Sequence, residues 1–485
     1  MMTSRKPKLA RKQVLPTLVI TQVCSEDDPG ASIINVNGHS YPVRQLYVAQ
    51  NGKRSDGRPA WSPFRFNLFP LVLSADGSPW PEANLFILKS LENSPAPDMR
   101  TFDARALDLA DFRRFLESEN IDWLRFSASK LLRPTYRYRG NLNFALRAGE
   151  VSPKTVNRRM GTVVSFYRWL IREQLWKPDH PPWIDKDIFI TSKDQHGFSV
   201  SKTVKSTDLA VHVPNQHDPY SEHILDGGLL RPLPINEQEW LIDALVAAAN
   251  PEMTLIHLIG LLTGARMQTI CTMKARHVQI QVEDEQTSHV RLSIGPGTGI
   301  DSKGGKRMVL HIPVWLYQSL YVYSKSERAE RRRAKSSQSD ENQYLFLTKH
   351  GRPYYADHEE RQAFNPNSTK RYDLDGGAIG TFIRTIIRPH IQLKHGMNKF
   401  SFRFHDTRAT FGMNLTDFYL IKVEKGEMTL GAVREFVKTR MGHKSAATTD
   451  LYLDYRKSLK FVRAVIEEHE IHLKGLCDRA MQNLK

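Results

Sequence analysis

A mainly α, multidomain protein is what this sequence predicts: a helical domain, then an α+β domain with a small β-sheet, both preceded by a small β-rich N-terminal module. Three observations predict it. The 485 residues exceed one ordinary compact domain, and length alone suggests about three. Apolar residues recur at helical spacing from Pro95 to Trp176 and again from Asn236 onward. Leu15 to Ser94 instead holds short β-like runs punctuated by Gly, Pro, Asn and Asp.

The elements follow in chain order. Arg5, Lys6, Lys8, Arg11 and Lys12 precede a partly apolar run, Val14 to Val23. Pro16, Thr17, Thr21 and Gln22 break that run, and no small-residue cleavage site comes before Glu26-Asp27-Asp28, so it reads as a strand and not an export signal. Thr17 to Val23, Ser32 to Val36 and Phe66 to Leu73, the last broken by Pro70, make residues 1–94 a β-rich module or an extended tether. In residues 95–183, Leu107, Phe112, Phe115 and Leu116 mark one helix, and Ser152-Pro153 opens another. Serine can cap it, and proline in the first turn has no needed donor to lose. That second helix places Val156, Met160, Val163, Val164, Tyr167, Leu170 and Ile171 on one face. Lys154, Arg158, Arg159, Arg168 and Arg172 occupy much of the rest, a surface fit either for phosphate or simply for solvent. Residues 184–234 show little periodicity and read as an interdomain linker. Helical pattern then resumes through Trp240, Leu241, Leu245 and Val246, and through Leu255, Ile259 and Leu262 into Thr263-Gly264. Strands are expected at Val278 to Val282, Val290 to Ile294 and Arg307 to Ile312, followed by a highly charged stretch, Lys325 to Lys335.

Composition narrows the partners. Against 52 Asp and Glu stand 69 Lys and Arg, a formal charge of +17, so a polyanion, and nucleic acid first, is the partner to consider. Cys24, Cys271 and Cys477 are far apart and lack metal-ligand or disulfide-framework spacing, which fits a reducing cytoplasm. Apolar runs such as Leu255 to Leu262 are far shorter than a membrane span. A soluble protein that is not exported and has no membrane partner is expected.

Four islands carry chemistry: Thr263-Gly264-Ala265-Arg266; Ser302-Lys303-Gly304-Gly305-Lys306-Arg307; His405-Asp406-Thr407-Arg408; and Gly442-His443 followed by Thr448-Thr449-Asp450-Leu451-Tyr452. Singly, each reads as an ordinary structural feature: a salt-bridging arginine, a solvated turn, a buried histidine. In this order and spacing they resemble the catalytic domain of the tyrosine recombinase (phage integrase-like) family. The resemblance covers residues 235–473, while 95–183 looks like the family's helical core-binding domain and 474–485 like a C-terminal tail. It implies Arg266, Lys303, His405, Arg408, His443 and Tyr452 as catalytic residues, and Lys154, Arg158, Arg159, Arg168, Arg172, Lys306 and Arg307 as DNA contacts. Arginines suit phosphorane oxygens because their paired donors stay charged. Histidines can bond to the same oxygens or move a proton. A tyrosine with an ordinary pKa of about 10 needs a cationic pocket to become a nucleophile. The family pattern gives the leaving 5′-oxygen a proton from Lys303, with Lys306 as the alternative.

The resemblance further implies a 3′-phosphotyrosyl DNA intermediate needing no cofactor, neither ATP nor metal. Double-stranded DNA would be the partner, bound by a homotetramer on paired sites, for a cytoplasmic, nucleoid-associated protein that integrates or excises a mobile element. Tyr455 is the rival nucleophile, three residues on. Three features depart from the family: Ala265 and Thr269 replace a leucine and an acidic residue around Arg266, and the intervals from Lys303 to His405 and from His405 to His443 are long. The second of these suggests an insertion around Asp417 to Thr429. A non-catalytic DNA-binding accessory protein, a type IB topoisomerase and a metal-dependent nuclease using His405, Asp406 and His443 are the competing readings.

Overall fold

The computed structural model describes residues 9–53, 59–94, 97–193, 199–211, 222–279, 288–336, 342–363, 373–456 and 474. Cys477 and the expected C-terminal tail from residue 475 onward lie outside them. The chain groups into two compact units, residues 1–215 with 359–373, and 216–358 with 374–485.

In the first unit, β1 (Arg11–Val19) pairs antiparallel with β7 (Arg65–Leu73), with Val14 opposite Pro70. A two-stranded ribbon leaves each strand an open edge, which is where a strand tolerates proline. Strands β2 (Thr21–Val23), β3 (Ser32–Val36) and β4 (His39–Gln45) form a sheet in the order β2-β4-β3, and β5 (Tyr47–Lys53) pairs with β6 (Pro59–Pro63). Four helices follow: α1 (Pro81–Glu92), α2 (Met99–Ser118), α3 (Pro134–Arg147) and α4 (Pro153–Arg172). At α4 the Ser152 side chain accepts the Thr155 amide at 3.3 Å, and Pro153 fills the first turn. Val156, Met160, Val163, Val164, Tyr167 and Leu170 are buried, whereas Ile171 is exposed. Phe66, Phe69 and Val72 of β7 share one core with Leu109 and Phe112 of α2 and Phe166 of α4, so residues on both sides of position 94 pack together. Ala363, far along the chain, joins the same core and accepts the Asn67 amide at 2.8 Å.

The stretch expected to be a featureless linker contains strands. β8 (Asp185–Lys193) and β9 (Ser199–Thr207) pair antiparallel from Asp185↔Thr207 to Lys193↔Ser199. Polar residues dominate both strands, so the period-2 apolar signal that marks a half-buried strand is weak there.

The second unit starts with β10 (Ile224–Leu225) and β11 (Leu229–Leu230), a short antiparallel hairpin. Then come α5 (Ile235–Ala247), α6 (Pro251–Thr263) and α7 (Met267–Cys271). Val278, expected to open a strand, instead ends a 3-10 turn, Ala275–Val278, and residues 280–287 lie outside the described ones. β12 (His289–Ile294) and β13 (Met308–Pro313) pair with Leu292 opposite Leu310. Helices α8 (Val314–Lys325), α9 (Glu327–Ala334), α10 (Gly377–Phe382) and α11 (Arg388–His395) follow. A π turn, Ile383–Ile387, joins the last two. Pro389 has no amide hydrogen to complete an ordinary helical bond four residues back, and the wider turn sits beside it. The unit ends with α12 (Asp406–Glu424), α13 (Leu430–Met441) and α14 (residues 446–456).

Two features of this unit position the site. α12 runs unbroken to Glu424, so the extra length expected as an insertion at Asp417 to Thr429 is helix for its first eight residues. α6 and α12 approach closely because Gly260 faces Thr407: a Cβ there would lie 2.7 Å from the threonine hydroxyl. The charged run of α9 is also less solvated than its composition suggests. Arg328 forks onto fully buried Glu252 at 2.8 and 2.9 Å, and Arg332 reaches the same carboxylate at 3.1 Å. These pairs, together with the charge-assisted bond from Tyr323, compensate a carboxylate that could not otherwise be buried.

His257 of α6 is fully buried among Phe382, Phe402 and Phe404. Its Nδ1 bonds to the Met253 carbonyl at 2.7 Å, while Nε2 has no partner. Burial lowers its pKa to about 4, against about 6.5 unfolded. The folded protein therefore binds fewer protons between those values, and this contribution to stability is complete above pH 6.5 and lost as pH falls toward 4. At pH 5 the loss is about 2 kcal/mol. Urea midpoints at pH 7.5 and 5 should show that slope in the wild type and a shallower one in His257→Leu.

Candidate active site

Two helix ends build the site. α6 and α13 both finish in glycine in the left-handed conformation, Gly264 (φ 66°) and Gly442 (φ 64°). A side chain disfavours that turn and glycine does not. The turn after Gly264 brings Arg266 to the start of α7, and the turn after Gly442 presents His443. Both helix ends also direct carbonyls at one cation. Arg408, near the start of α12 and 3% exposed, donates from Nη1 to the Gly264 carbonyl at 2.9 Å and from Nη2 to the Met441 carbonyl at 2.8 Å. The negative ends of helices favour a cation there.

The third Arg408 donor, Nε, bonds to Oδ2 of Asp226 at 2.7 Å. That same oxygen accepts the Tyr452 hydroxyl at 3.0 Å and His443 Nε2 at 3.2 Å. Oδ1 of Asp226 lies 3.7 Å from Arg266 Nη2. Burial would raise the Asp226 pKa, but the His443 hydrogen bond and the Arg408 charge outweigh it and hold it below the usual carboxylate range. Asp226 is thus an anion, and the His443 nitrogen facing it carries the hydrogen. The other ring nitrogen, Nδ1, lies 2.9 Å from the hydroxyl of buried Thr449.

Tyr452 lies on α14, fully buried, with its ring stacked on His443 at 5.7 Å between centroids. Burial and the Asp226 charge push its pKa well up, while Arg408 and Arg266 pull the other way. Tyr455, on the same helix, points elsewhere: its hydroxyl is 3.5 Å from the Glu222 carbonyl. Lys303, in the 3-10 turn between β12 and β13, is exposed, and its Nζ would lie 3.0 Å from a Cβ at Gly227, the neighbour of Asp226. Lys306 Nζ instead donates to the Gly442 carbonyl at 2.8 Å. Arg307 turns outward onto the Pro296 carbonyl at 3.1 Å. His405 is partly buried, and burial, then the charges of Arg266, Arg408 and Lys303, lower its pKa, so it is neutral at pH 7. An open cleft of about 400 Å³, lined in part by Arg266, Lys303, Lys306 and Arg408, adjoins the cluster.

Of the residues singled out in the sequence, Arg266, Arg408, His443 and Tyr452 converge on one anion, with Lys303 and His405 beside them. Those expected to contact DNA from α4 belong to the other unit, and their arginines have acidic partners. Arg158 pairs with buried Asp108 at 2.8 Å, Arg159 with Asp111 at 2.9 Å, Arg168 with Asp185 at 2.9 Å and Arg172 with Glu173 at 2.9 Å. Lys154 is exposed. Asp226 was not among the residues the sequence singled out, and Thr449, within the fourth island, carried no assigned role. The turn that carries Asp226 does have a signal: Asp226-Gly227-Gly228 between apolar pairs, Ile224-Leu225 and Leu229-Leu230, reads as a three-residue hairpin loop. Asp406 accepts the backbone amides of Arg403 at 2.8 Å and Arg231 at 3.1 Å, a structural use of that carboxylate.

No protein-family model matches the chain, and no curated protein matches it. Its structural neighbours are integrases. It is similar to a lambda integrase dimer bound to a core site, with 13% identity and TM-score 0.42, covering 77% of this chain and 94% of that one. It is similar also to the Tn1549 transposon integrase with circular intermediate DNA (13%, TM-score 0.39, 78% and 98%). A third is the Tn1549 integrase with transposon right-end DNA (15%, TM-score 0.42, 79% and 98%). Among the described residues no helix is long and apolar enough to cross a membrane.

Gly412 of α12 sets where Tyr452 can sit, since a Cβ there would lie 2.4 Å from the Tyr452 ring. Glycine inside a helix costs about 1 kcal/mol relative to alanine. Gly161 of α4, with nothing within 4 Å of its Cβ position, should gain about that much as Gly161→Ala. Gly412→Ala should instead lose about 1–3 kcal/mol through overpacking. Urea midpoints of the two variants, read against wild type, should move in opposite directions.

Proposed function

We propose that this chain breaks and rejoins DNA strands through Tyr452, as a site-specific recombinase of the tyrosine class. The observation that carries the reading is the convergence of Tyr452 Oη, Arg408, His443 and Arg266 on one buried anion position. Two guanidiniums beside a hydroxyl nucleophile suit an in-line displacement at a phosphodiester, where charge accumulates on the non-bridging oxygens.

In this reading a DNA phosphate takes the anion position. Tyr452 Oη forms a bond to phosphorus and loses its proton, for which neutral His405 is an acceptor. The bond from phosphorus to the 5′-oxygen breaks, and that oxygen takes a proton from Lys303, the exposed lysine on the turn facing Asp226-Gly227. The phosphotyrosyl bond retains the energy of the phosphodiester, so a 5′-hydroxyl can reverse the step without an energy source. Four protomers on paired duplex sites, integration or excision of a mobile element, and a cytoplasmic setting belong to the same reading. Lys306 is the weaker candidate for the acid because its ammonium is committed to the Gly442 carbonyl.

Nicked suicide duplexes, chosen by binding selection from a random-sequence pool, test this directly. Wild type and Tyr455→Phe should form a denaturant-resistant protein–DNA adduct, and Tyr452→Phe should form none. An adduct on Tyr452→Phe would sink the assignment of the nucleophile. Arg266→Lys should slow adduct formation by about 10²–10³-fold, the usual effect of removing one transition-state donor. Binding should fall steeply with salt, log K against log[salt] having a slope of about −0.9 per phosphate neutralised, and a flat dependence would remove DNA as the partner.

A further inference from the structure

The groups that the recombinase reading assigns to a DNA phosphate here surround a carboxylate. We propose that Asp226 is a built-in substrate mimic: the β10–β11 hairpin lodges it in the phosphate position and holds the DNA-free protein inactive until a DNA phosphate displaces it. This rests on the reading of the site as a phosphodiester-cleaving centre.

Asp226 engages the groups a scissile phosphate would need. One carboxylate oxygen accepts from Arg408, Tyr452 and His443, and the other faces Arg266. While it is there, no phosphorus atom can stand at the Tyr452 hydroxyl, and that hydroxyl is spent as a donor to a carboxylate. Its negative charge also adds to the burial that disfavours tyrosinate. Removing that charge would leave Tyr452 with Arg408 and Arg266, which act in the activating direction.

The fit is incomplete in a way that favours a larger anion. Arg266 Nη2 is 3.7 Å from Asp226, beyond a hydrogen bond, and the buried Nε of Arg266 has no partner. A carboxylate offers two oxygens in a plane, whereas a tetrahedral phosphate offers acceptors in more directions and can serve both guanidiniums. The hairpin is also lightly built. It has two residue pairs, Ile224↔Leu230 and Leu225↔Leu229, and Leu225 and Leu229 are exposed. Its tip is Gly227, at φ 68°, where a Cβ would meet Lys303 Nζ at 3.0 Å. The tip therefore lies against the lysine read as the general acid as well as against the nucleophile.

Orthophosphate on the full-length, DNA-free protein tests the mimic without relying on DNA cleavage. Asp226→Asn and Asp226→Ala should bind orthophosphate at least about tenfold more tightly than wild type by calorimetry. Their melting temperatures should rise with phosphate concentration. Adding Arg408→Gln to either should abolish the gain. Should both single variants fold poorly, hydrogen exchange on wild type gives the same answer: rising orthophosphate should speed exchange of residues 224–230 and leave α12 protected. Phosphate affinity unchanged in folded variants, or hairpin exchange indifferent to phosphate, would overturn the proposal. On nicked duplexes Asp226→Asn should form adduct faster than wild type. A slower rate with unchanged phosphate affinity would make Asp226 a working part of catalysis and end the mimic. If the variants bind phosphate tightly but no form of the protein makes an adduct, the mimic stands and the recombinase reading fails. If wild type makes adduct and the variants gain no phosphate affinity, the reverse holds.

Discussion

The buried guanidinium of Arg408 is the constraint on which the rest of the second unit depends. A cation taken out of water is tolerated only when each of its donors is met. Here each of its three nitrogens makes a bond: Nη1 and Nη2 to the carbonyls of Gly264 and Met441, at the ends of two different helices, and Nε to Asp226. That single side chain therefore ties α6, α12, α13 and the β10–β11 hairpin together. It explains why the helix-ending glycines sit where they do, and why α12 must pass close to α6 at Gly260 and Thr407.

The same arrangement makes the site an anion trap. With Arg266 adjacent, and Lys303 and Lys306 around it, cations gather beside the two helix ends. The anion that meets them is the Asp226 carboxylate, from a segment that reads as linker in the sequence. On the proposed reading a DNA phosphodiester would meet the same donors, and Asp226, bound where it goes, would compete for them, so that displacement would become part of recognition.

The basic character of the sequence divides into two kinds of charge. Arg328 and Arg332 serve a buried glutamate, and Arg158 and Arg159 serve Asp108 and Asp111. These cations hold elements together. Arg266, Lys303, Lys306 and Arg408 instead line one cleft, where their charges gather in one place. Thr269 stands three positions after Arg266, and the carboxylate facing Arg266 comes from Asp226, upstream of α5.

By itself the sequence determined what depends on local chemistry and periodicity. Ser152-Pro153 as a helix start, the apolar face of α4 and the glycines that end α6 and α13 are local effects, legible from spacing. The family resemblance implied Arg266, Lys303, His405, Arg408, His443 and Tyr452 as one set, of which Arg266, Arg408, His443 and Tyr452 surround one carboxylate in the structure. The β8–β9 ribbon was not legible, because polar strands carry little apolar alternation, and neither was the helical form of residues 417–424. Only the tertiary structure decided that Arg158 and Arg159 face acidic partners, since those pairs join different helices. Only it brought Asp226 to Tyr452 across 226 positions of chain. A carboxylate in a glycine-rich turn gives no local sign of what it will meet, because what it meets is fixed by how α6, α12 and α13 pack around a buried charge.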